Sequence, residues 1–586
     1  MKRKRLITAT AVSAVVALVV SACGGGDGDG DGNGGNAEPA FNAAVGKIYN
    51  PSDETGGIIK MANNGDWDSL DPGETYYGYS WDFLRLYGRA LVMYKIAPGE
   101  ESGELVPDLA ESLGESSPDA KTWTYKIRKG VKYEDGTEVT AHDVKHAVLR
   151  STDKETFPNG PAYWEGFLNL PEGYQGPYKT PDMNTDQAIE VPDDQTIIFK
   201  LKTPFSGMDY LAQLPQTVPV PEDKDKGAQY REHVISTGPY MFDTNELGKR
   251  FTLKRNPEWS KETDPNRNPL PDGFDVALNV NQDDIDNQLM SGDLHVHVTG
   301  TGLGSAAQGR VLSDESLKAE ADNPYLVRLW YTSVNPQVAP LDNIDCRKAI
   351  MYATDRTGYQ RAMGGDVAGG DIATHLLPPQ IPGSQDFDLY PAGEDNKGDL
   401  DKAKQHLKDC GQPDGFATNI TYRNERPQEK AVAEALQQSL KRVGIELTLK
   451  GFPQGDYFSQ YAGRPPYAKQ NNLGLVVNGW GADWNDGFGF LSQIVDSRVI
   501  RETGGSSNIS VRIPEVDQAL DAALVELDEG KREQIYADID KRVMEEAVIL
   551  PGVIAKVLLY RGKGLTNVFI NEQYGYYDYM AMGVEQ

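Results

Sequence analysis

Thiols and positive charge are both scarce in this chain. Three cysteines in 586 residues are too few for a disulfide scaffold and show no metal-binding spacing. Basic residues number 58 against 87 acidic ones, a formal charge of -29; such a surface repels nucleic acid, and no nucleic-acid partner is expected. The marks of common enzyme classes are missing too. There is no Gly-x-Ser-x-Gly elbow, no His-Glu-x-x-His and no P-loop, and Gly300-x-Gly302-x-Gly304 does not match the dinucleotide fingerprint. Among 87 acidic residues, carboxylate pairs that would suit a glycosidase arise by chance and carry almost no information. No catalytic residue, cofactor or metal is expected.

What is present starts at the N-terminus. Lys2 to Arg5 form a basic cluster, and the apolar run from Leu6 to Val20 suits a signal sequence but falls short of the roughly 20 residues a membrane span needs. It ends in Val20-Ser21-Ala22-Cys23, which resembles the lipobox where bacterial lipoproteins are cleaved and acylated. Residues 1–22 are therefore expected to be removed and Cys23 to carry lipid on the outer face of the cell membrane. An ordinary cleaved signal or an apolar anchor is the alternative. Gly24 to Asn36 is almost wholly Gly, Asp and Asn, too polar to repay its ordering entropy, and residues 23–56 read as a tether. Cys346 and Cys410 then remain as a pair outside the cytoplasm; a disulfide between them is expected, with two buried thiols as the alternative.

The rest of the chain mixes α and β signals. Ile58 to Ala62 reads as a strand, Trp81 to Tyr94 as an amphipathic helix, and Thr122 to Arg128 as an alternating strand. Thr140 and Asp143 form a capping box for a helix. Further strands are expected at 196–202 and 250–255, and helices at 346–354, 400–408, 428–443, 516–529 and 531–547. Length alone implies two to four domains, yet no linker marks a clean boundary.

Several segments carry a likeness in fixed order: Ser69-Leu70-Asp71-Pro72, Leu105-Val106-Pro107-Asp108-Leu109-Ala110, Trp123 to Tyr133, Asp135 to Val144, Thr237-Gly238-Pro239-Tyr240, Asp399 to Lys404 and Gly479-Trp480-Gly481-Ala482-Asp483-Trp484. In that order the chain resembles the extracytoplasmic solute-binding proteins of peptide and nickel ABC importers. The resemblance implies an α/β, two-lobed Venus-flytrap fold with an inserted domain. Lobe I would comprise residues 57–92, 222–329 and 549–586, the insertion 93–221, and lobe II 330–548. It also implies a monomer that passes a peptide-like ligand to a permease with cytoplasmic ATPase subunits.

In similar peptide binders the aspartate of the Gly-Trp-x-x-Asp segment pairs with the ligand α-ammonium, which points to Asp483; a turn or capping aspartate is the alternative. Trp480 and Trp484 lie among five glycines between Gly474 and Gly489, where backbone can approach a ligand while rings cover it; core packing is the other reading. The resemblance places Tyr76, Tyr77 and Tyr79 in a pocket-lining loop and matches Tyr163 to another lining position. The basic residue that some oligopeptide binders carry before Gly-Trp is replaced by Val476-Val477-Asn478, which leaves Arg423, Arg426 or Arg464 to hold a ligand carboxylate, with a ligand that lacks a fixed C-terminus as the alternative. Competing readings are a metal chelate, with His295 and His297 on one face of an exposed strand edge, and a short oligosaccharide.

Replacement Cys23→Ala should release the protein from the membrane fraction or leave an unprocessed precursor. Membrane retention at mature size, read by fractionation and mass spectrometry, would refute acylation.

Overall fold

The computed structural model describes residues 39–298, 301–526 and 528–586. The expected signal sequence, Cys23 and the first part of the tether lie outside the described residues.

Three sheets organise the body. A five-stranded sheet runs in the order Val296–His297, Ile58–Ala62, Gly273–Ala277, Arg250–Arg255, Tyr240–Glu246. A six-stranded sheet runs Gly370–Ile372, Ile549–Lys556, Tyr325–Val334, Leu473–Gly481, Ala417–Arg423, Glu446–Phe452. Three of its four inner strands, Ile549–Lys556, Tyr325–Val334 and Leu473–Gly481, are largely buried, as expected for strands covered on both faces. A smaller antiparallel sheet of four strands lies within residues 115–200. Between the first two sheets the chain crosses twice, and the crossings pair with each other as Ala321–Asp322 against Leu559–Tyr560.

The periodicity located most helices. They appear at Ile344–Ala353, Leu400–Asp409, Pro427–Lys441, Pro514–Val525 and Glu529–Glu545. The Asp143 carboxylate accepts from the Thr140 backbone N–H at 2.8 Å and starts the helix Ala141–Ser151.

Four expectations need correction. The helix expected over 81–94 is only Gly78–Leu84, and Val92–Tyr94 is a strand paired with Leu105–Pro107. The chain leaves the helix because Arg89 must reach buried partners: its Nε donates to Asp108 Oδ1 at 2.8 Å, and Nη2 donates to the Thr263 carbonyl at 2.9 Å. Tertiary ion pairing overrides helix propensity here. The tether expected to run to residue 56 also ends earlier. Ala44 is fully buried, its N–H donates to Asp322 at 2.9 Å, and Tyr49 exchanges backbone hydrogen bonds with Val568; the buried Asp322 carboxylate needs the Ala44 donor.

Third, His295 and His297 are buried rather than on an exposed edge. His295 Nδ1 accepts from the Lys60 N–H at 2.9 Å, and His297 Nδ1 lies 3.1 Å from the Gly302 carbonyl. Among the described residues no group of three or more metal-ligating side chains occurs. Fourth, Ile549–Lys556, expected to open the return to lobe I, pairs inside the six-stranded sheet, because its unbroken apolar run needs cover on both faces.

A disulfide joins Cys346 to Cys410, Cα atoms 5.5 Å apart, and ties the helix Ile344–Ala353 to the end of Leu400–Asp409. Closing a loop across a separation of 64 residues restricts the unfolded chain by an amount worth about 4 kcal/mol in the chain-entropy picture. The double replacement Cys346→Ser, Cys410→Ser should lower unfolding stability by about 2–4 kcal/mol in denaturant titrations. An unchanged midpoint would show that the bond does not form.

Candidate functional site

A cleft is walled on one side by the segment around the start of the helix Gly78–Leu84 and on the other by residues of the six-stranded sheet and the loops beside it. From the first side come Tyr76, Tyr77, Tyr79 and Trp81, around the start of the helix Gly78–Leu84. From the second come Asn478 to Asp483, at the end of the strand Leu473–Gly481, together with Arg423, Arg426 and Gln454. Leu326, Val327 and Arg328 also line it. They sit where the pairing slips between Tyr325 opposite Lys556 and Leu329 opposite Ile554, and such a bulge re-aims side chains. Gly479 makes room for the Trp330 ring, since a Cβ there would lie 2.4 Å from Trp330 Cε3.

Asp483 is only 7% exposed. Its Oδ2 accepts from the Tyr163 hydroxyl at 2.5 Å and the Tyr76 hydroxyl at 2.7 Å. Its Oδ1 has no hydrogen-bond partner among the described residues. Burial pushes this carboxyl up to about 7, against the opposing pull of the two phenols and of Arg328. The Tyr76 ring stacks on Trp81 at 5.6 Å and meets Trp480 edge-on at 5.9 Å, while Tyr77 stacks on Tyr79 at 5.5 Å. The result is an aromatic box around one carboxylate poised near neutrality, suited to a cation or an amphipathic molecule.

Five of the seven expected residues, Asp483, Trp480, Tyr76, Tyr77 and Tyr79, line this cleft. Tyr163 supports Asp483 through its hydroxyl without lining the main cavity. Trp484 belongs elsewhere: it is 1% exposed and packs between Tyr163, at 4.9 Å, and Tyr210, at 5.7 Å. Of the three candidate arginines, Arg464 is exposed and caps a short helix away from the cavity, whereas Arg423 and Arg426 line it. Arg328, Trp330, Gln454 and Tyr574 were missed: the strand Tyr325–Val334 with its bulge brings in the first two, and loops brought together by the fold bring in the others, with no local motif to mark any of them.

Two lobes joined by a pair of crossing strands, with a ring-lined cleft between them, define the two-lobed architecture of a periplasmic binding protein, here with mixed α/β lobes. The chain belongs to the bacterial extracellular solute-binding proteins, family 5, whose middle region matches residues 104–501. It is similar to the glutathione-binding protein GsiB of Escherichia coli O1:K1 / APEC, with 26% identity over 80% of this chain and 84% of that one. The solved structure of clavulanic acid biosynthesis oligopeptide binding protein 2 superposes with a TM-score of 0.86 and 40% identity, over 94% of this chain and 99% of that one. The ABC transporter-associated periplasmic binding protein DppA from Helicobacter pylori, in complex with the peptide STSA, shares the fold at a TM-score of 0.74 and 20% identity, covering 91% and 99%. Among the described residues no helix is long and apolar enough to cross a membrane.

The raised Asp483 carboxyl sets a pH dependence. Folded, it keeps its proton up to about pH 7; unfolded, it loses it near pH 4. Its contribution to stability therefore falls as pH rises through that window. Asp483→Asn should leave ligand-free stability little changed below pH 4 and raise it by up to about 4 kcal/mol at pH 8 relative to wild type. A difference that stays constant with pH would show that the carboxyl titrates normally.

Proposed function

We propose that this protein captures a short peptide or peptide-like molecule between its lobes and delivers it to an ABC permease driven by cytoplasmic ATPase subunits. The observation that carries the reading is Asp483: a buried carboxylate with one oxygen free, set among rings in the cleft just beyond a strand of the six-stranded sheet. A ligand ammonium there would gain a charge-assisted bond in a site shielded from water. Membership of a binding-protein family, and relatives named for glutathione and oligopeptides, support the same reading. The role is binding and not catalysis.

In this reading lobe I is built on the five-stranded sheet and lobe II on the six-stranded sheet. The four-stranded sheet belongs to the insertion, and the crossings Ala321–Asp322 and Leu559–Tyr560 form the hinge. The lipobox-like Val20-Ser21-Ala22-Cys23 supports a lipid-anchored monomer on the outer membrane face. Peptide backbone would be held largely by main-chain groups, as an added strand is, with Tyr76, Tyr77, Tyr79 and Trp480 covering its side chains.

Ligand released from the purified protein by denaturation and identified by mass spectrometry should carry a primary amine. Asp483→Asn should weaken its binding by roughly 2–5 kcal/mol, about 30-fold to several thousand-fold. N-acetylation of the ligand should weaken wild type strongly and the variant only slightly. At pH 6, where the free carboxyl still holds its proton, binding should release a proton, read by calorimetry in buffers of different ionisation enthalpy. Equal losses on acetylation in both proteins would refute the assignment of Asp483.

A further inference from the structure

Residues 93–221, the proposed insertion, are bound firmly to one side of the cleft and only rest against the other. Toward residues 57–92 and 222–329 the ties include buried ion pairs. Arg89 Nε donates to Asp108 at 2.8 Å, Arg267 Nη2 to Asp108 at 2.7 Å, and the Arg150 fork to Asp71 at 2.7 and 2.9 Å. Toward residues 330–548, among the described residues, no ion pair crosses and one hydrogen bond does: the Tyr163 hydroxyl donates to Asp483 at 2.5 Å. Beside that bond the seam is aromatic. Trp484 packs between Tyr163, at 4.9 Å, and Tyr210, at 5.7 Å and nearly parallel. Phe488 meets Phe167 at 5.9 Å and Phe205 at 6.2 Å. All of these rings except the half-buried Tyr210 are buried, and none of them lines the ligand cleft.

When the cleft opens, the insertion therefore travels with the side that holds its counter-ions, and the aromatic seam is what separates. Two opposing effects set how firmly it shuts. Withdrawing Trp484 and Phe488 would wet apolar rings, which favours the closed form. Buried polar atoms favour the open one: Arg501 Nε and Nη1 on one side of the seam and Glu165 Oε2 on the other have no partner among the described residues, and opening would return water to them. Glu165 is the acid that bears most strongly on Arg501, opposing the effect of burial on its charge. At the edge of the seam the Pro158 carbonyl lies against Gly505, where a Cβ would come within 2.4 Å of it. A seam balanced in this way leaves the choice between open and closed to whatever binds the closed form better.

We propose that Trp484 is a positioning residue for ligand binding: it seats between Tyr163 and Tyr210 as the cleft closes and slows release of a ligand it never touches. Tyr163 links the two events, because its hydroxyl holds Asp483 while its ring holds Trp484. This rests on the reading that the cleft takes a peptide-like molecule between two lobes.

The probe is the tripeptide that ligand-stripped wild type retains best from an equimolar pool of unblocked tripeptides. The eight tryptophans are labelled with 5-fluorotryptophan, and Trp484→Phe assigns the Trp484 fluorine resonance by its disappearance. Saturation with the probe should move that resonance, as the ring passes from a wet setting to a dry one. Tyr210→Ala should raise the dissociation rate of the probe by about 2- to 10-fold, the worth of one aromatic pair, with the association rate unchanged within about twofold. Tyr210→Phe, which keeps the ring, should release the probe as wild type does. If one of these variants does not fold, the measurement that uses the other still decides. A Trp484 resonance unmoved by saturation would mark the ring as permanent core, and a Tyr210→Ala dissociation rate equal to wild type would show that the seam does not slow release. Either result would overturn this proposal and leave the peptide reading standing. Retention of no tripeptide at all would overturn the peptide reading and this proposal with it.

Discussion

The Asp483 carboxylate is held by hydroxyls from residues 407 and 320 positions away in the chain. One buried oxygen thus gathers the aromatic segment at Tyr76, the Tyr163 helix and the end of the strand Leu473–Gly481. Because burial penalises its charged form more than the two phenols favour it, the group is kept near neutrality, and the surrounding elements are all positioned with reference to it. Such a group weakens the empty protein at neutral pH. That is the expected signature of a site built for a partner charge rather than for stability.

The same economy of charge runs through the interior. Arg89 and Arg267 converge on Asp108, Arg150 makes a two-pronged bond with Asp71, and Arg561 reaches Asp322. Each buried guanidinium in these clusters has its carboxylate, as buried charges require. They are interleaved across distant segments, which holds the pieces of a discontinuous body in one arrangement. Against that background Arg426 stands out, since its nearest carboxylate is already committed to Arg423.

Close approach of backbone to rings shapes the cleft as much as charge does. Gly479 lies under the Trp330 ring, Gly489 under Trp484 and Gly487 under Tyr536, each too near for a Cβ. The glycines among Trp480 and Trp484 therefore serve two different surfaces. Gly479 makes room for Trp330 in the cleft, whereas Gly489 lets Trp484 sink into the interior next to Tyr163 and Tyr210, and Gly487 does the same for Tyr536.

Read alone, the sequence determined the mixed α/β class, the extents of most helices, the capping box at Thr140 and Asp143, and the segment from Trp480 to Asp483 that lines the cleft. Those features are written in local periodicity, in short-range hydrogen bonding and in a motif whose spacing is kept within a few residues. It did not determine that the helix after Tyr77 stops at Leu84, that Ala44 and Tyr49 join the body, that Trp484 faces inward, or that Arg328 enters the cleft. Each of these depends on a partner outside its own element, from 19 to more than 270 residues away, or on a slip in strand register. Tertiary structure decided them because burial, counter-ions and pairing register are properties of the assembled chain, and no local stretch of sequence carries the free energy that selects among them.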